Sequence, residues 1–515
     1  PVPAVDYEAL ARQAHPVRVA AMFGAASVVL LGVVYFIMIQ LGLPDWVFLG
    51  AVALLAVGLP IMLLTGHHER KRAVATMTGM HVVTPIGVQQ HFTWRNALIG
   101  GGLAFAGLGV VATGYTATRA LGIGPAGTLM STGAIAEREP LVLAELDNRT
   151  ADTTLGSTVT ELFRVSISQS PVIRLVDPAR LNESLARMQR AEMTRIDESI
   201  ALEIAEREGI KAVISGEIVP LGTGYILSAR LTSATGEVLT AQQTSARNTE
   251  EIITAVDELS AKLRERVGES LRTIRRSVPL DLVTTGSLGA LRLYTQAAQA
   301  EIAGDDDRAV DLLEEAIAAD TAFAMAYRKL GIILRNNFEQ RARAIQAITK
   351  AYEYRDRLTD LERGYAIAQY HTDVTGEREN ALAAYRTILD KYPDDYRALN
   401  NSGVLYDQLR DFIRALEHYR RALEVDSTWA PGFTNIAFAQ RVLGQFDESA
   451  ATIDALEARF PGNPRVDDAR GQLSYTRRDL QAAERSWHAL LEGQRGSPFW
   501  QAVAGQKLAW LAATR

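Results

Sequence analysis

Pro393, Ser427 and Pro461 stand 34 residues apart, and so do Ala381, Ala415 and Ser449. The same step joins Tyr385 to Tyr419 and Ile453, and Phe412 to Phe446. A fixed step of this length, with a small residue inside and a proline-like break at the end, describes a helical hairpin that is repeated. One such hairpin cannot bury its apolar face alone, so its core is completed by the next one. Stacked hairpins curve into a groove. That geometry holds a partner; by itself it performs no chemistry.

Ala309, Arg343 or Ala344, Ala381, Ala415, Ser449 and Ala483 mark the small position of the second helix, giving about six units over residues 283–515. This is the tetratricopeptide pattern, an all-α solenoid. The fourth unit (Gly403, Tyr406, Phe412, Ala415, Tyr419, Ala422) and the fifth (Phe433, Ala437, Phe446, Pro461) follow it well. The second carries about four extra residues around Arg355 to Asp360, and the sixth is degenerate, as end repeats are. Phe499 to Ala512 reads as a capping helix.

The front of the chain is apolar. Residues 19–41, 46–64 and 97–115 form three stretches of the length and composition that cross a bilayer, the third rich in glycine. A cleaved leader is the wrong reading of the first, because its apolar run is too long and a second span follows at once. Arg12 and Arg18 precede the first span, and Arg70, Lys71, Arg72 and Arg95 lie between the second and third. The intervening short loop holds only Asp45. Positive residues stay inside, so residues 1–18 and the loop from His67 to Trp94 are expected in the cytoplasm. Everything after Tyr115 then lies on the other face, the periplasm if the cell is a bacterium. The predicted location is a bacterial inner membrane.

Residues 116–138 read as a tether, broken by Gly122, Gly124, Pro125 and Gly127. Residues 139–282 read as a compact α/β domain. Strands are expected at Leu141–Ala144 and Val172–Val176, and helices over Leu155–Gln169, Ala179–Met188 and Ile196–Glu208. A meander of Ala212–Ile218, Tyr225–Thr232 and Val238–Thr244 follows, then one long helix from Thr249 to about Arg276. The fold class is therefore multidomain: transmembrane α-helices, an α/β domain, then the solenoid.

Composition narrows the function. A net charge of -6 supplies no basic field for nucleic acid, and the absence of cysteine removes disulfides, thiolate metal sites and cysteine nucleophiles. Gly122-Ile-Gly-Pro-Ala-Gly127 matches a dinucleotide pattern in letters alone, since no strand leads into it and no helix follows. His67, His68 and Glu69 sit beside Arg70-Lys-Arg72, which repels a cation, and His371 with Asp373 reads as a surface pair. Asp305-Asp306-Asp307 reads as a loop and helix cap, where carboxylates meet free amides, rather than a calcium site. No metalloprotease, nucleophile-elbow or phosphate-loop motif occurs. The expectation is no catalytic residue, no cofactor and no metal.

The groove is the better candidate. First helices face the concave side, and their non-consensus positions include Arg328, Tyr370, Asn400, Asn401, Asn435, Phe438 and Arg441. Amides and guanidinium groups there grip an extended peptide by its backbone or carboxylate. Asn is also common at these positions in arrays that hold no ligand.

From His15 onward the chain resembles the non-catalytic portion of bacterial transmembrane serine/threonine kinases. The likeness runs through His15-Pro-Val-Arg18, His67-His-Glu-Arg-Lys-Arg72 and Leu143-Ala-Glu-Leu-Asp-Asn-Arg149. The middle domain is similar to the amino-terminal domain of TolB, whose second strand matches Leu175-Val176-Asp177. The resemblance implies architecture, and this sequence carries none of the kinase loops, so kinase activity does not transfer. Two functions follow as expectations. One is a membrane-anchored scaffold or accessory subunit holding protein partners of a membrane complex, such as a respiratory or photosynthetic assembly. The alternative is the sensor half of a kinase-type signalling system that binds periplasmic peptides.

Overall fold

The structure is a computed structural model and describes residues 15–77, 92–123, 127–188, 190, 195–335, 340–493 and 497–514. Residues 1–14, expected in the cytoplasm, part of the second loop and residues 124–126 of the expected tether lie outside this set.

Three helices open the chain: α1 (Pro16–Leu41), α2 (Asp45–Met77) and α3 (Trp94–Ala120). Each has a segment long and apolar enough to cross a membrane, with only 6–11% of that segment buried. α2 and α3 run past the 46–64 and 97–115 limits at both ends, whereas α1 passes 19–41 only at its start and ends at Leu41 as expected. Pro60 sits inside α2 without ending it, as membrane helices tolerate.

A mixed layer follows, built from β1 (Pro140–Leu143), β2 (Asp147–Asn148), α4 (Leu155–Ser168), β3 (Arg174–Leu175), α5 (Pro178–Arg187) and α6 (Glu198–Glu208). Then come β4 (Ala212–Leu221), β5 (Gly224–Ser233) and β6 (Val238–Ala246). The sheet order is β3-β1-β4-β5-β6, with β2 paired to β4. β1 lies parallel to β3 and β4, whereas β4 and β5 are antiparallel from Ala212↔Ser233 to Leu221↔Gly224. The expected meander is there, each strand longer than its apolar core. Beneath the sheet, Val142, Leu181, Leu185, Ile204 and Val213 pack into one core.

The single helix expected from Thr249 to Arg276 is instead two, α7 (Ile252–Val267) and α8 (Leu271–Arg276). Gly268 takes φ 139°, outside the reach of an L side chain, and Ser270 restarts the helix by accepting from the Thr273 amide at 3.1 Å. The break seats a charged pair: Arg264 donates from Nε and Nη2 to both oxygens of Glu269, at 2.9 and 2.6 Å, with both side chains all but fully buried.

Two compact units result. The first joins the described residues before Pro140 to Val238–Gln242 and Ser260–Ser277. Within it Arg119 donates to Glu265 at 2.8 Å, and Arg275 donates to Asp45 at 2.6 Å and to the Leu43 carbonyl at 2.9 Å. Leu129 and Met130, from the predicted tether, bond through their amides to the Arg266 and Val267 carbonyls. The second unit takes Pro140–Glu237, Gln243–Leu259 and Val278–Arg515.

After a short α9 (Leu280–Val283), the array consists of paired helices. These are α10 (Leu288–Ile302) with α11 (Asp306–Ala319), α12 (Ala324–Arg335) with α13 (Arg341–Glu353), and α14 (Asp360–Tyr370) with α15 (Arg378–Lys391). They continue as α16 (Tyr396–Gln408) with α17 (Phe412–Val425), α18 (Ala430–Val442) with α19 (Phe446–Arg459), and α20 (Pro464–Thr476) with α21 (Leu480–Gly493). α22 (Pro498–Ala513) caps the end. The six small positions are all buried, and Ala344 rather than Arg343 fills the second. Ser449 is admitted because its hydroxyl donates to the Ala437 carbonyl at 2.9 Å. The extra residues of the second unit form a short 3-10 turn, Arg355–Arg357. Asp305 caps α11 by accepting from the Arg308 amide at 3.2 Å, as its place in the loop predicts.

Candidate functional site: the first-helix face of the array

The seven residues singled out from sequence all sit on, or at the end of, first helices. Neighbouring repeats already use them. Asn435 on α18 donates to the Asn400 side-chain oxygen on α16 at 2.8 Å, and Asn400 donates to Asn401 at 3.2 Å. This amide chain links the fourth and fifth units, with Asn400 itself buried. Arg441 donates to Thr476 at 2.9 Å and to Gln472 at 3.1 Å, both on α20, while its guanidinium lies 5.2 Å from the Phe438 ring. Arg328 pairs with Glu362 at 2.5 Å and stands over Tyr365. Tyr370 stacks on Tyr352 with ring centroids 4.0 Å apart.

The structure therefore brings Asn400, Asn401 and Asn435 into one network and Phe438 with Arg441 into another. Arg328 and Tyr370 engage separate neighbours. Sequence reasoning missed the residues that receive these bonds, Glu362, Gln472 and Thr476. A signal existed: Asn400 to Asn435 and Arg441 to Thr476 are each 35 residues apart, one repeat plus one. Side chains on stacked first helices meet at that offset.

Charge is distributed unevenly along the face. Lys329 pairs with Glu301 at 2.5 Å, and Arg335 with Asp373 at 3.3 Å. Arg397 pairs with Asp177 of the mixed layer, and the same docking seam adds Arg174 with Asp394 and Arg180 with Asp426 at 3.5 and 3.6 Å. Burial pushes the Tyr385 phenol up to about 12 and the Tyr365 phenol above its ordinary range, so both are neutral hydrogen-bonding groups. Burial also pushes the Arg441 and Arg465 guanidinium groups down from their usual range. Among the described residues no three His, Asp or Glu side chains gather as metal ligands.

Residues 374–428, spanning α15 to α17, match the tetratricopeptide repeat model. A stretch of 179 residues, 34% of this chain, is 28% identical to the protein CTR9 homolog of Arabidopsis thaliana but spans only 16% of that protein. Among solved structures, the Cut9–Hcn1 assembly of the APC/C is 17% identical over 42% of each chain, with a TM-score of 0.34. PilW, a type IV pilus biogenesis factor, is 17% identical over 42% of this chain and 97% of its own, with a TM-score of 0.35. This chain thus contains a tetratricopeptide repeat region, an architecture built for holding other proteins.

Proposed function

We propose that this protein is a non-catalytic, membrane-anchored scaffold or accessory subunit whose repeat array holds protein partners of a membrane complex. One observation carries the reading: a single chain joins three helices with the length and apolarity of membrane spans to six helical pairs presenting a long side-chain face. The anchor sets the location and the array supplies the grip. We read the array as extracytoplasmic. Support comes from Arg275, which reaches back to Leu43 and Asp45 in the loop between α1 and α2. That contact suits a chain in which this loop and the segment after α3 share one side of the bilayer, the side poor in Lys and Arg. The mixed layer is read as TolB-like from its Leu175-Val176-Asp177 segment, at the end of β3.

The test is purification of the full chain in mild detergent from its native membrane, with quantitative identification of what accompanies it. A stoichiometric membrane complex is expected. Recovery of a partner-free monomer would remove the scaffold reading. Purified protein should also neither bind ATP nor transfer phosphate, and measurable turnover would end the non-catalytic part of the proposal.

A further inference from the structure

The first-helix face changes character along its length. In the second unit each of its cations meets a carboxylate: Lys329 with Glu301, Arg328 with Glu362, Arg335 with Asp373. In the fourth, Arg397 meets Asp177. In the last two units Arg470 is likewise paired, with Asp454 and Glu457, but two other cations are not. Among the described residues Arg441 is bonded to neutral acceptors, Thr476 and Gln472. Arg465 lies with its guanidinium 5.5 Å from the Trp500 ring and, among the described residues, has no side-chain acceptor. Both side chains are half-buried.

A half-buried guanidinium without a paired carboxylate has given up hydration that neutral hydrogen bonds, as at Arg441, or a ring face, as at Arg465, replace only in part. One carboxylate, Asp468, acts on both arginines through space but forms an ion pair with neither; it accepts from Gln472 at 2.7 Å. Across α18, α20 and α22, Arg441, Arg465 and Lys507 stand against Asp467 and Asp468, with Arg470 already paired to Asp454 and Glu457. Aromatic faces flank it: Phe438 beneath Arg441, Trp500 beneath Arg465, and Phe499, 66% exposed, edge-on to Trp500 at 5.1 Å. Guanidinium groups fixed on aromatic rings are pre-organised donors for carboxylates, and the exposed ring beside them offers an apolar contact.

We propose that the end of the groove, formed by α18, α20 and α22, is the docking surface for an extended acidic segment of a partner protein, its carboxylates received by Arg441 and Arg465. This rests on the scaffold reading and names the chemistry of the partner.

The probe is an eight-residue fluorescent peptide alternating glutamate and leucine, amidated at its C-terminus. Its binding to the full-length protein in detergent is followed by anisotropy. The Arg441→Gln, Arg465→Gln double variant should weaken binding about tenfold or more, the size expected for lost charge-assisted contacts. Arg441→Lys with Arg465→Lys keeps both charges and should retain most of the binding, which separates charge loss from misfolding. Asp468→Asn should tighten it, and Arg414→Gln, which removes an exposed cation of α17 paired with Asp411, should leave it unchanged. Added salt should weaken it. Equal binding of a glutamine–leucine peptide, no binding of the acidic one, or an unaffected double Gln variant would each overturn the proposal. A membrane complex that co-purifies intact with the double Gln variant would sink this inference and leave the scaffold reading standing.

Discussion

Val110 on α3 and Ile413 on α17 are equally exposed, 72% each, and the two exposures mean opposite things. Around Val110 the exposed neighbours are themselves apolar, Leu98, Leu103 and Val111, on a helix with barely any burial. Around Ile413 they are charged: Arg414 is paired to Asp411, and Arg420 and Arg421 follow. A lone exposed isoleucine is ordinary in water, whereas a contiguous apolar surface marks contact with a membrane or another protein. Burial alone does not reveal the surroundings of a residue; the company it keeps on its own helix does. The first unit carries the inversion further, leaving Val28, Val29, Val110 and Val111 outside and enclosing the Arg264–Glu269 pair.

That inversion gives the largest expected effect. Arg264→Ala removes the guanidinium that donates to both oxygens of the buried Glu269, and removing one member of such a pair costs about 3–5 kcal/mol. The segment Ser260–Ser277 should become protease-sensitive and lose amide protection. Replacing both residues together, Arg264→Met with Glu269→Leu, should recover most of the loss, because the desolvated charges go together. If the single variant is as protected as wild type, the pair is not enclosed.

The opening contrast is tested directly by placing aspartate at each of the two sites. Val110→Asp in a membrane span costs about 2.5–3.5 kcal/mol near the bilayer centre and should lower the membrane-integrated fraction in an insertion assay. Ile413→Asp should change the array's stability by no more than about 0.5 kcal/mol. Equal effects would erase the distinction between the two helices.

Packing inside the array is the next step down. A Cβ at Gly403 would stand 2.5 Å from the buried Tyr419 ring. Gly403→Leu should therefore overpack the fourth unit and cost about 1–3 kcal/mol in a thermal or urea melt. Asn435→Ala removes one bond to a buried amide and should cost about 1 kcal/mol. A larger penalty at Asn435 than at Gly403 would mean that the amide chain, not the close helix approach, holds the units together.

Much of this was legible in advance, for a reason visible in the residues. Ala309, Ala381, Ala415 and Ala483 recur because only a small side chain fits where two helices cross, so packing writes its period into the sequence. Uninterrupted apolar length, enough to cross a bilayer in three helices, is read from the sequence in the same way. The break at Gly268 was hidden because the helical periodicity is good on both sides of it and a single glycine does not oblige a helix to stop. β3 shrank to Arg174–Leu175 because Val172 and Ile173 turn into it, their amides bonded to the Ser170 hydroxyl. The site was half legible. Periodicity locates the first helices, but which of their side chains meet a neighbouring repeat depends on how the helices stack. Arg465 and Trp500 escaped notice because they belong to the degenerate sixth unit and its cap, where the repeat signal fades.

The smallest effect contrasts the enclosed Arg264 pair with a half-exposed one in the mixed layer. Glu198, at the start of α6, accepts from Arg230 Nε and from the Ser215 hydroxyl, both at 2.9 Å. The Arg230 hydrogen bond, with Ser215 adding to it, holds the Glu198 carboxyl below its ordinary value of 4.5. A carboxylate held low in the folded state binds its proton less readily there than in the unfolded chain. Its contribution is therefore complete above about pH 4.5 and is lost as the pH falls through the depressed value. Water screens the pair, so the effect should be within about 1 kcal/mol. Melting curves of wild type and Glu198→Gln between pH 7 and 3 should differ at neutral pH and converge on acidification. A gap that stays constant across the range would show that Glu198 acts through shape alone, and that partial exposure already suffices to cancel the charge the first unit keeps by burying it.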